Sequence, residues 1–357
     1  MTLPGRATPA GTAAFAAASK AAAGHFRATQ EQLQLSSLGI GTYLGRDDAE
    51  TDGLYRDAVV RALTSGINVI DTAINYRHQR SERAVGAALK ACGLSREQIF
   101  VATKGGFLAF DGARPRDPHA WLEQTLFAHG LATPREVAAG CHCMTRRFLA
   151  DQIDRSRANL GVETIDLYYL HNPETQLGAV SREEFLARLR GAFEALEEAC
   201  AAGKIASYGA ATWNGLRIGE DEAEYLSLAR LLECAREAGG PRHHFRGLQL
   251  PFNLEMDEAA TLRNQRDSRN REATLLEAAS EAGLVVLASA SVLQGRLTRQ
   301  LPQPVREKLK GLASDAQRAL QFVRSTPGIT TALVGMKSPA HVDENAALAR
   351  VPPLRDR

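Results

Sequence analysis

Four polar residues that could together move a proton stand where apolar runs of the sequence end. Asp71 closes the run INVID, Lys104 closes FVATK and His171 closes IDLYYLH, while Tyr76 follows Asp71 by five residues. Because the carboxyl ends of parallel strands meet at one edge of a sheet, side chains at these positions converge. The spacing therefore predicts one pocket that holds a carboxylate, a phenol, an amine and an imidazole.

This combination of groups is suited to donating a proton to a carbonyl oxygen. A free phenol has a pKa of about 10, and an ammonium beside it would lower that pKa. A carboxylate would keep the ammonium charged, and an imidazole would orient the carbonyl through a hydrogen bond. No side chain supplies a hydride, so reduction would require a nicotinamide cofactor. Taken singly, Asp71 could cap a turn, Lys104 could be solvated and His171 could be structural.

The elements that would position these residues alternate strictly between strand and helix. From about residue 37 onward, eight short β-branched runs are each followed by a segment of helical periodicity. Strict alternation demands right-handed parallel crossovers, which close either as an open doubly wound sheet or as a barrel. The unit count, the length and the absence of GxGxxG after the first strand favour a (β/α)8 TIM barrel of the α/β class. The predicted helices are 55–65, 81–91, 147–160, 182–202, 222–238, 274–282 and 315–324, with a last one from about residue 341.

Two segments lie outside a minimal barrel. Residues 1–36 form an N-terminal extension that is expected to begin with a short helix or a flexible segment, and FRAT and QLQL within it could pair as a hairpin that plugs the barrel bottom. Residues 107–144 form an insertion after the third strand, with a helix expected at 118–130. Because that insertion leaves a strand at its carboxyl end, we expect a lid over the active-site face. The barrel domain spans residues 37–350.

The composition excludes several classes of function. The formal net charge is +2 and no basic stripe with interleaved aromatic residues occurs, so nucleic acid is not expected as a partner. Five cysteines argue against a disulfide framework, and no apolar run reaches the length of a membrane-spanning helix. We expect a cytoplasmic protein with a small-molecule substrate, no membrane partner and no bound metal. The oligomeric state is not predicted.

The sequence resembles the aldo-keto reductase family over about residues 37–350. The resemblance rests on GIGT at 39–42, GINVIDTAINY at 66–76, SERAVGAAL at 81–89, TK at 103–104, IDLYYLH at 165–171 and VGMKSPAHVDEN at 334–345. It implies an eightfold barrel that binds NADP(H), with NAD(H) as the alternative, and no separate dinucleotide-binding domain. It also implies that Asp71, Tyr76, Lys104 and His171 are the catalytic tetrad, with the tyrosine as general acid.

The resemblance further implies a set of cofactor contacts. In addition to Asp71, these are Gly41, Thr42, Asn172, Thr212, Gln249, Lys337, Ser338, His341 and Asn345. The positive charge of Lys337 favours NADP over NAD. The sequence departs from the family pattern at three places: Ala211-Thr212 replaces a Ser-Asn pair, Ser289 replaces a stacking aromatic residue, and Arg77 replaces a glycine.

Four further residues are candidates for contact with substrate: Arg77, His78, His142 and Trp213. The basic cluster after Tyr76 suggests a polar, anionic or sugar-like substrate. His142 lies in the motif Cys141-His142-Cys143, which lacks the second ligand pair of a structural zinc site. The predicted function is an NAD(P)(H)-dependent oxidoreductase acting on an aldehyde, ketone or alcohol. The alternative is a protein of the same fold without net redox chemistry, such as a lyase, dehydratase, epimerase or cofactor-sensing interaction protein.

Overall fold

Eight parallel strands close into a barrel in the computed structural model, which describes residues 2–354. The strands are β1 Leu38–Gly41, β2 Val69–Asp71, β3 Phe100–Gly105, β4 Leu167–His171, β5 Tyr208–Ala211, β6 Phe245–Pro251, β7 Val285–Ser289 and β8 Thr331–Gly335. Each strand pairs with its sequence neighbour, and β8 pairs with β1. The predicted (β/α)8 barrel is therefore confirmed, with all eight strands at the predicted runs.

A helix follows each strand and covers the outside of the barrel. These helices are α1 Ala49–Thr64, α2 Arg80–Ala91, α3 Arg146–Leu160, α4 Arg182–Ala201, α5 Leu228–Gly239, α6 Leu275–Glu281, α7 Asp315–Arg324 and α8 Pro339–Ala346. Helix α1 starts six residues before the predicted boundary because the Asp48 side chain accepts a hydrogen bond from Thr51 N at 2.8 Å. Helix α5 starts six residues after its predicted boundary, where Ser227 caps it.

Two apolar layers hold these elements together. The larger layer lies between the strands and the helices, where residues such as Ile70, Val85 and Phe193 are fully buried. The smaller layer fills the barrel interior, with Val69 and Leu287 among its members. Filling the interior leaves space for a ligand only at the ends of the strands.

The N-terminal extension closes the bottom of the barrel. It contains a helix at Pro9–Ala18 and an antiparallel hairpin of Phe26–Ala28 with Gln34–Ser36. Leu35 of the hairpin is fully buried and belongs to the interior cluster of the barrel. The chain before the helix is fixed by Asp166, which accepts a hydrogen bond from Ala7 N at 2.7 Å. The helix and the hairpin thus both belong to the segment that precedes the first barrel strand.

The insertion after β3 packs around a small core of its own. It contains a helix at Pro118–Leu122, a π-helical turn at Glu123–Phe127 and a 3-10 turn at Pro134–Glu136. Leu126 and Cys143 are buried there against Phe148 of α3. The helical part thus ends at residue 127, three residues short of the predicted end.

The remaining elements lie in the loops between strands and helices. They are a short helix Glu258–Thr261, a hairpin of Gln265–Arg266 with Glu272–Ala273, a helix Gln303–Lys308, and 3-10 segments at Arg96–Gln98, Pro173–Gly178, Gly240–Arg242, Leu293–Thr298 and Ala347–Arg350. Within residues 2–354 no helix has both the length and the apolar character needed to span a membrane.

Candidate active site

Three adjacent strands and one turn bring the four predicted catalytic residues together. Asp71 ends β2, Lys104 lies near the end of β3 and His171 ends β4, while Tyr76 lies in the turn that follows β2. Asp71 is the register partner of Ala102 on β3, and Lys104 is the partner of Tyr169 on β4. The parallel register therefore aligns the carboxyl ends of these strands at one edge of the barrel.

A buried ion pair forms the floor of the site. The Lys104 ammonium donates to the two carboxylate oxygens of Asp71 at 2.9 and 2.8 Å and to the Thr72 carbonyl oxygen at 2.8 Å. Gln249 Nε2 also donates to Asp71 Oδ1, at 2.7 Å. Burial lowers the pKa of Lys104, and the carboxylate of Asp71 acts in the opposite direction. The charge on the lysine therefore depends on Asp71, because a lone buried ammonium would be strongly disfavoured.

The phenol of Tyr76 lies above this pair and retains its proton. The Lys104 nitrogen is 4.9 Å from the centroid of the Tyr76 ring, and the Tyr43 ring packs edge-on against it at 4.9 Å between centroids. Burial raises the pKa of Tyr76 well above its ordinary value, and the charge of Asp71 and the nearby Tyr43 add to the rise. The sequence predicted the opposite direction. The difference arises chiefly because the phenol is buried, and in addition Asp71 neutralises the lysine whose charge was expected to lower that pKa.

The imidazole of His171 faces the same space and is neutral. Its ring is 5.9 Å from the Tyr76 ring and 5.0 Å from the Phe107 ring, edge-on in both cases. Burial lowers the pKa of His171 well below its ordinary value, and Lys104 and His142 add to the effect. His171 Nδ1 is buried without a hydrogen-bond partner among the described residues. A neutral imidazole can donate one hydrogen bond without carrying charge into the site.

A cavity of about 850 Å³ opens at this end of the barrel. Its wall begins at the proposed tetrad, where Asp71, Tyr76 and His171 line it, and extends to the start of α8. Lys104 is fully buried beneath the wall and does not line it. Of the residues predicted to contact cofactor, these line the cavity: Gly41, Thr42, Asp71, Asn172, Thr212, Gln249, His341 and Asn345.

Two glycines leave part of the cavity wall bare. Gly41 at the end of β1 and Gly335 at the end of β8 are register partners, and both line the cavity. A Cβ built on Gly41 would meet no protein atom closer than 3.9 Å, and one on Gly335 none closer than 4.0 Å. Neither glycine has a positive φ. Neither backbone strain nor protein packing requires glycine here, so the space fits a ligand that lies against the backbone.

Several buried polar atoms along the wall lack a partner. Asn75 Oδ1, Thr212 Oγ1 and Asn345 Oδ1 each line the cavity and make no hydrogen bond within residues 2–354. An unsatisfied buried polar atom costs about 1–3 kcal/mol. These atoms are therefore positioned to bond a polar ligand that runs from the proposed tetrad to α8.

One strong cation lines the cavity. Of the lysine and arginine side chains in the described chain, Arg299 alone lines the cavity, and no ion pair involving it occurs there. Lys337 is exposed and Ser338 is half-buried, and neither lines the cavity. Arg299, which is also exposed, thus lines the cavity, whereas the sequence pointed to Lys337.

The structure does not bring Arg77 to the cavity. Its guanidinium donates to the Arg46 and Asp48 carbonyl oxygens at 2.8 and 3.2 Å and to Asp52 Oδ1 at 2.6 Å, and the residue is 6% exposed. His78 is beside Asp47, with His78 Nε2 and Asp47 Oδ2 at 3.3 Å, and it is also absent from the wall. The basic cluster thus lies away from the cavity, because its charges are directed toward the acidic start of α1.

His142 also lies behind the wall. It is fully buried, and its Nε2 is 2.7 Å from the carbonyl oxygen of His171. The predicted direct contact of His142 with substrate is therefore not seen. The insertion that carries His142 contributes Phe107 to the cavity wall and no other residue, and its role as a lid stays a prediction.

Trp213 lines the cavity and is 41% exposed, as expected of a substrate contact. Its position is fixed by Glu174, whose Oε1 accepts hydrogen bonds from Trp213 N at 2.6 Å and Asn214 N at 3.2 Å. Burial raises the pKa of Glu174. Trp213 is therefore held in place through its backbone while its ring remains free to contact a ligand.

Several residues of the wall lie outside the predicted set, among them Tyr43, Phe107 and Arg299. Tyr43 directly follows the GIGT motif, so its position after a strand end was an available signal. Phe107 and Arg299 lie in loops whose course no local pattern predicts. Within residues 2–354, no group of three or more His, Cys, Asp or Glu side chains is arranged to hold a metal ion.

Known proteins of the same fold are similar to this chain in sequence as well as in structure. The family model described as the aldo/keto reductase family matches residues 37–224. The chain is 25% identical over 277 residues to the aldo-keto reductase YhdN of Bacillus subtilis (strain 168), covering 76% of this chain and 62% of that protein. It is 29% identical over 204 residues to the NADH-specific methylglyoxal reductase of Escherichia coli (strain K12), covering 56% of this chain and 54% of that protein. The chain thus spans less than two thirds of the length of these curated relatives.

Among solved structures, an aldo/keto reductase from Klebsiella pneumoniae in complex with NADP and acetate superposes with a TM-score of 0.60. The two chains are 20% identical, and the superposition covers 93% of this chain and 92% of the other. At this identity the likeness supports the fold alone.

Proposed function

Since this chain belongs to the aldo/keto reductase family, whose model covers just over half of its length, we propose that it is a nicotinamide-dependent oxidoreductase that reduces a carbonyl compound or oxidises the corresponding alcohol. The observation that carries the proposal is the placement of Asp71, Tyr76 and His171 on one wall of the cavity, with Lys104 paired to Asp71 beneath it. A phenol, a neutral imidazole and a buried ion pair in contact provide proton transfer to a carbonyl oxygen.

The cavity suits an extended dinucleotide. Gly41 and Gly335 would let it lie against the backbone, and Thr212, Gln249 and Asn345 offer polar atoms along its length. When bound, this cofactor supplies the hydride. NADP(H) is favoured because Arg299 lines the cavity, and planar guanidinium groups bind phosphate well. NAD(H) is the alternative, in keeping with the name of the Escherichia coli relative.

In the proposed reduction, Tyr76 gives its phenolic proton to the substrate oxygen as negative charge develops there. The raised pKa of Tyr76 keeps that proton in place before reaction. Lys104, whose nitrogen is 4.9 Å from the ring centroid, would stabilise the phenolate that remains. His171 would orient the carbonyl by a neutral hydrogen bond, and in the reverse direction the Tyr76 phenolate accepts the proton.

The residues at the proposed tetrad favour a neutral substrate. Tyr43, Leu44, Phe107 and Trp213 line the cavity and supply apolar and aromatic surface, and Asn75 supplies one unpartnered amide oxygen. Arg299, assigned above to the cofactor, is the one lysine or arginine of the described part of the chain that lines the cavity. Aldehydes, ketones or sugar-like compounds that present an apolar face are therefore proposed, in place of the anionic substrate suggested by the sequence.

A fold of this type without net redox chemistry is the second candidate. It is favoured by one observation: Ser289 lines the cavity where the family pattern has a stacking aromatic residue. Loss of that ring would weaken the hold on a nicotinamide by about 0.5–1.5 kcal/mol.

One experiment separates these candidates. The purified protein is titrated with NADPH and with NADH while cofactor fluorescence is followed, and oxidation of the bound cofactor is then measured with neutral aldehydes and with aldehyde acids of similar size. Binding together with consumption of the cofactor by a neutral aldehyde is the expected result. Failure to bind either cofactor at about 100 μM contradicts the oxidoreductase, and binding without consumption for any carbonyl compound favours the second candidate; at that concentration even a modest affinity of about −5.5 kcal/mol would be detected.

A further inference from the structure

A line of hydrogen-bonded side chains runs from helix α4 to the back of His171. Arg188 Nη1 donates to Gln176 Oε1 at 2.8 Å. Gln176 Nε2 donates to His142 Nδ1 at 2.8 Å and to the His142 carbonyl oxygen at 3.1 Å. His142 Nε2 then lies 2.7 Å from the His171 carbonyl oxygen. Gln176, His142 and the motif around His142 have no part in the proposed proton transfer.

The order of donors along this line fixes the tautomer of His142. A guanidinium only donates, so the oxygen of the Gln176 amide must face Arg188 and its nitrogen must face His142. The contact of the same nitrogen with the His142 carbonyl oxygen, which only accepts, requires the same orientation. His142 Nδ1 is then an acceptor, so the single hydrogen of the neutral ring is on Nε2 and is donated to His171.

The backbone around His171 is built against this imidazole. The Phe107 ring packs edge-on against His142 at 5.2 Å and against His171 at 5.0 Å between centroids. A Cβ at Gly106 would be 2.8 Å from His142 Nε2, and Gly106 has φ of +129°. Gly106 therefore makes room for the ring, and His142 touches both the last residue of β4 and the insertion residue of the cavity wall.

We propose that His142 is a positioning residue that holds His171 and Phe107 in place relative to Tyr76. Gln176, which is oriented by Arg188, keeps His142 in the tautomer whose Nε2 hydrogen is donated to the His171 carbonyl oxygen. The inference rests on the proposed function only in that His171 orients the substrate. It assigns to the Cys-His-Cys motif a role that neither metal binding nor substrate contact explains.

Because of its surroundings, the tautomer of His142 decides whether its Nε2 donates a hydrogen bond to His171. Burial lowers the pKa of His142 to about 4, so the ring is neutral at physiological pH and carries one hydrogen. The titratable and charged groups near it include Cys141 and Cys143 in the insertion, His171 on β4 with Lys104 beyond it, and Arg188 on α4, which is paired with Glu184.

The substitution Gln176→Glu tests the proposal because it keeps the shape and changes the donor. The new carboxyl and His142 share one proton at low pH, which allows His142 Nε2 to keep its hydrogen bond to His171. As pH rises and the shared proton is lost, the carboxylate draws the imidazole hydrogen to Nδ1, and Nε2 then faces the carbonyl with a lone pair. We expect kcat of this variant to fall by about 10- to 100-fold on the alkaline side, the size of effect that a misplaced catalytic group produces.

The control is Gln321→Glu, which places a carboxyl at an equally buried glutamine near the bottom of the barrel, where Gln321 bonds the Pro352 carbonyl oxygen. It should keep the pH profile of the wild type.

A second variant, His142→Phe, keeps a ring against Phe107 and removes the hydrogen-bond donor. It should lower kcat while the Kd for cofactor stays within about twofold of the wild type. His142→Gln retains an N–H and should restore part of the lost kcat. A pH profile of Gln176→Glu identical to that of the wild type would overturn the proposal, as would full kcat in His142→Phe.

A measurement that needs no turnover separates this inference from the proposed function. The imidazole nitrogens of uniformly ¹⁵N-labelled protein report which nitrogen carries hydrogen, and His142→Phe identifies the relevant signals. A neutral ring protonated at Nε2 in the wild type, with hydrogen at Nδ1 in Gln176→Glu at high pH, supports the positioning role even if no carbonyl substrate is found. Protonation at Nδ1 in the wild type would overturn it.

Discussion

The Lys104 ammonium lies 4.9 Å from the centre of the Tyr76 ring, yet its three hydrogen bonds go to the two oxygens of Asp71 and to the Thr72 carbonyl. An ammonium has three N–H groups, so none remains for the phenol in this arrangement. Lys104 therefore acts on Tyr76 through its electric field and not through a hydrogen bond. That field is offset by the adjacent charge of Asp71.

Replacing Tyr76 by phenylalanine should remove the proton donor and leave the cavity otherwise intact. We expect kcat for carbonyl reduction to fall by about 10²- to 10⁴-fold, the usual contribution of a general acid. The Kd for cofactor, measured by fluorescence, should stay within about twofold, since only one oxygen is lost. Tyr208→Phe is the matched control because it removes the hydroxyl of a buried tyrosine that does not line the cavity. A Tyr76→Phe enzyme with more than about a tenth of wild-type kcat would exclude Tyr76 as the acid.

Arg299 and Lys337 are the two candidates for contact with a phosphate of the cofactor. Because Arg299 lines the cavity and Lys337 does not, we expect Arg299→Ala to weaken NADPH binding by about tenfold, the loss of one charge-assisted hydrogen bond. Lys337→Ala should change the Kd by less than about threefold. Titration of both variants with NADPH and NADH shows which phosphate is contacted: a loss confined to NADPH assigns the 2′-phosphate, and an equal loss for both assigns the pyrophosphate. A larger effect of Lys337→Ala would show the assignment to be wrong.

We expect Arg77 to stabilise the fold and not to bind a charged group of the substrate. Its guanidinium joins Arg46 O, Asp48 O and Asp52 and lies 5.5 Å from the Tyr55 ring centroid. Arg77→Ala should lower the free energy of unfolding in urea by about 2 kcal/mol through the lost charged hydrogen bonds. Arg83→Ala, which removes an exposed partner of Asp111, should cost less than about 1 kcal/mol. A KM change for aldehyde acids that is absent for neutral aldehydes would restore the substrate role.

Acid should destabilise the protein partly through His25. This imidazole is fully buried, with Nε2 at 2.9 Å from the Gly66 carbonyl oxygen, and burial lowers its pKa from 6.5 to about 4. The unfolded chain therefore binds more protons than the native one between those values, so stability falls as pH drops from 6.5 toward 4. The loss is about 2 kcal/mol by pH 5. Urea unfolding at pH 7 and pH 5 should give a shallower pH dependence for His25→Gln; parallel curves for variant and wild type would contradict it.

The sequence predicted the barrel and the proposed tetrad because both rest on short-range patterns. Apolar runs ending in Asp71, Lys104 and His171 mark strand ends, and parallel closure brings strand ends together. The side-chain orientation of Arg77 could not be predicted from the sequence. Three consecutive non-glycine residues, 77 to 79, adopt positive φ of 49°, 54° and 70°. Such a turn is held by tertiary contacts and has no local signature. For the same reason the pattern did not show that His142, at the end of a long insertion, lies behind His171.

At the two glycines of the cavity wall, the barrel tolerates a side chain but a bound ligand would not. A side chain at Gly41 or Gly335 would find room in the protein, so the barrel itself sets no barrier to it. Such a side chain would instead occupy the ligand's space from within, as a competitor that is covalently tethered and cannot dissociate. Raising the ligand concentration would not displace it, so a single added methyl group there would leave the barrel folded and weaken its binding of cofactor.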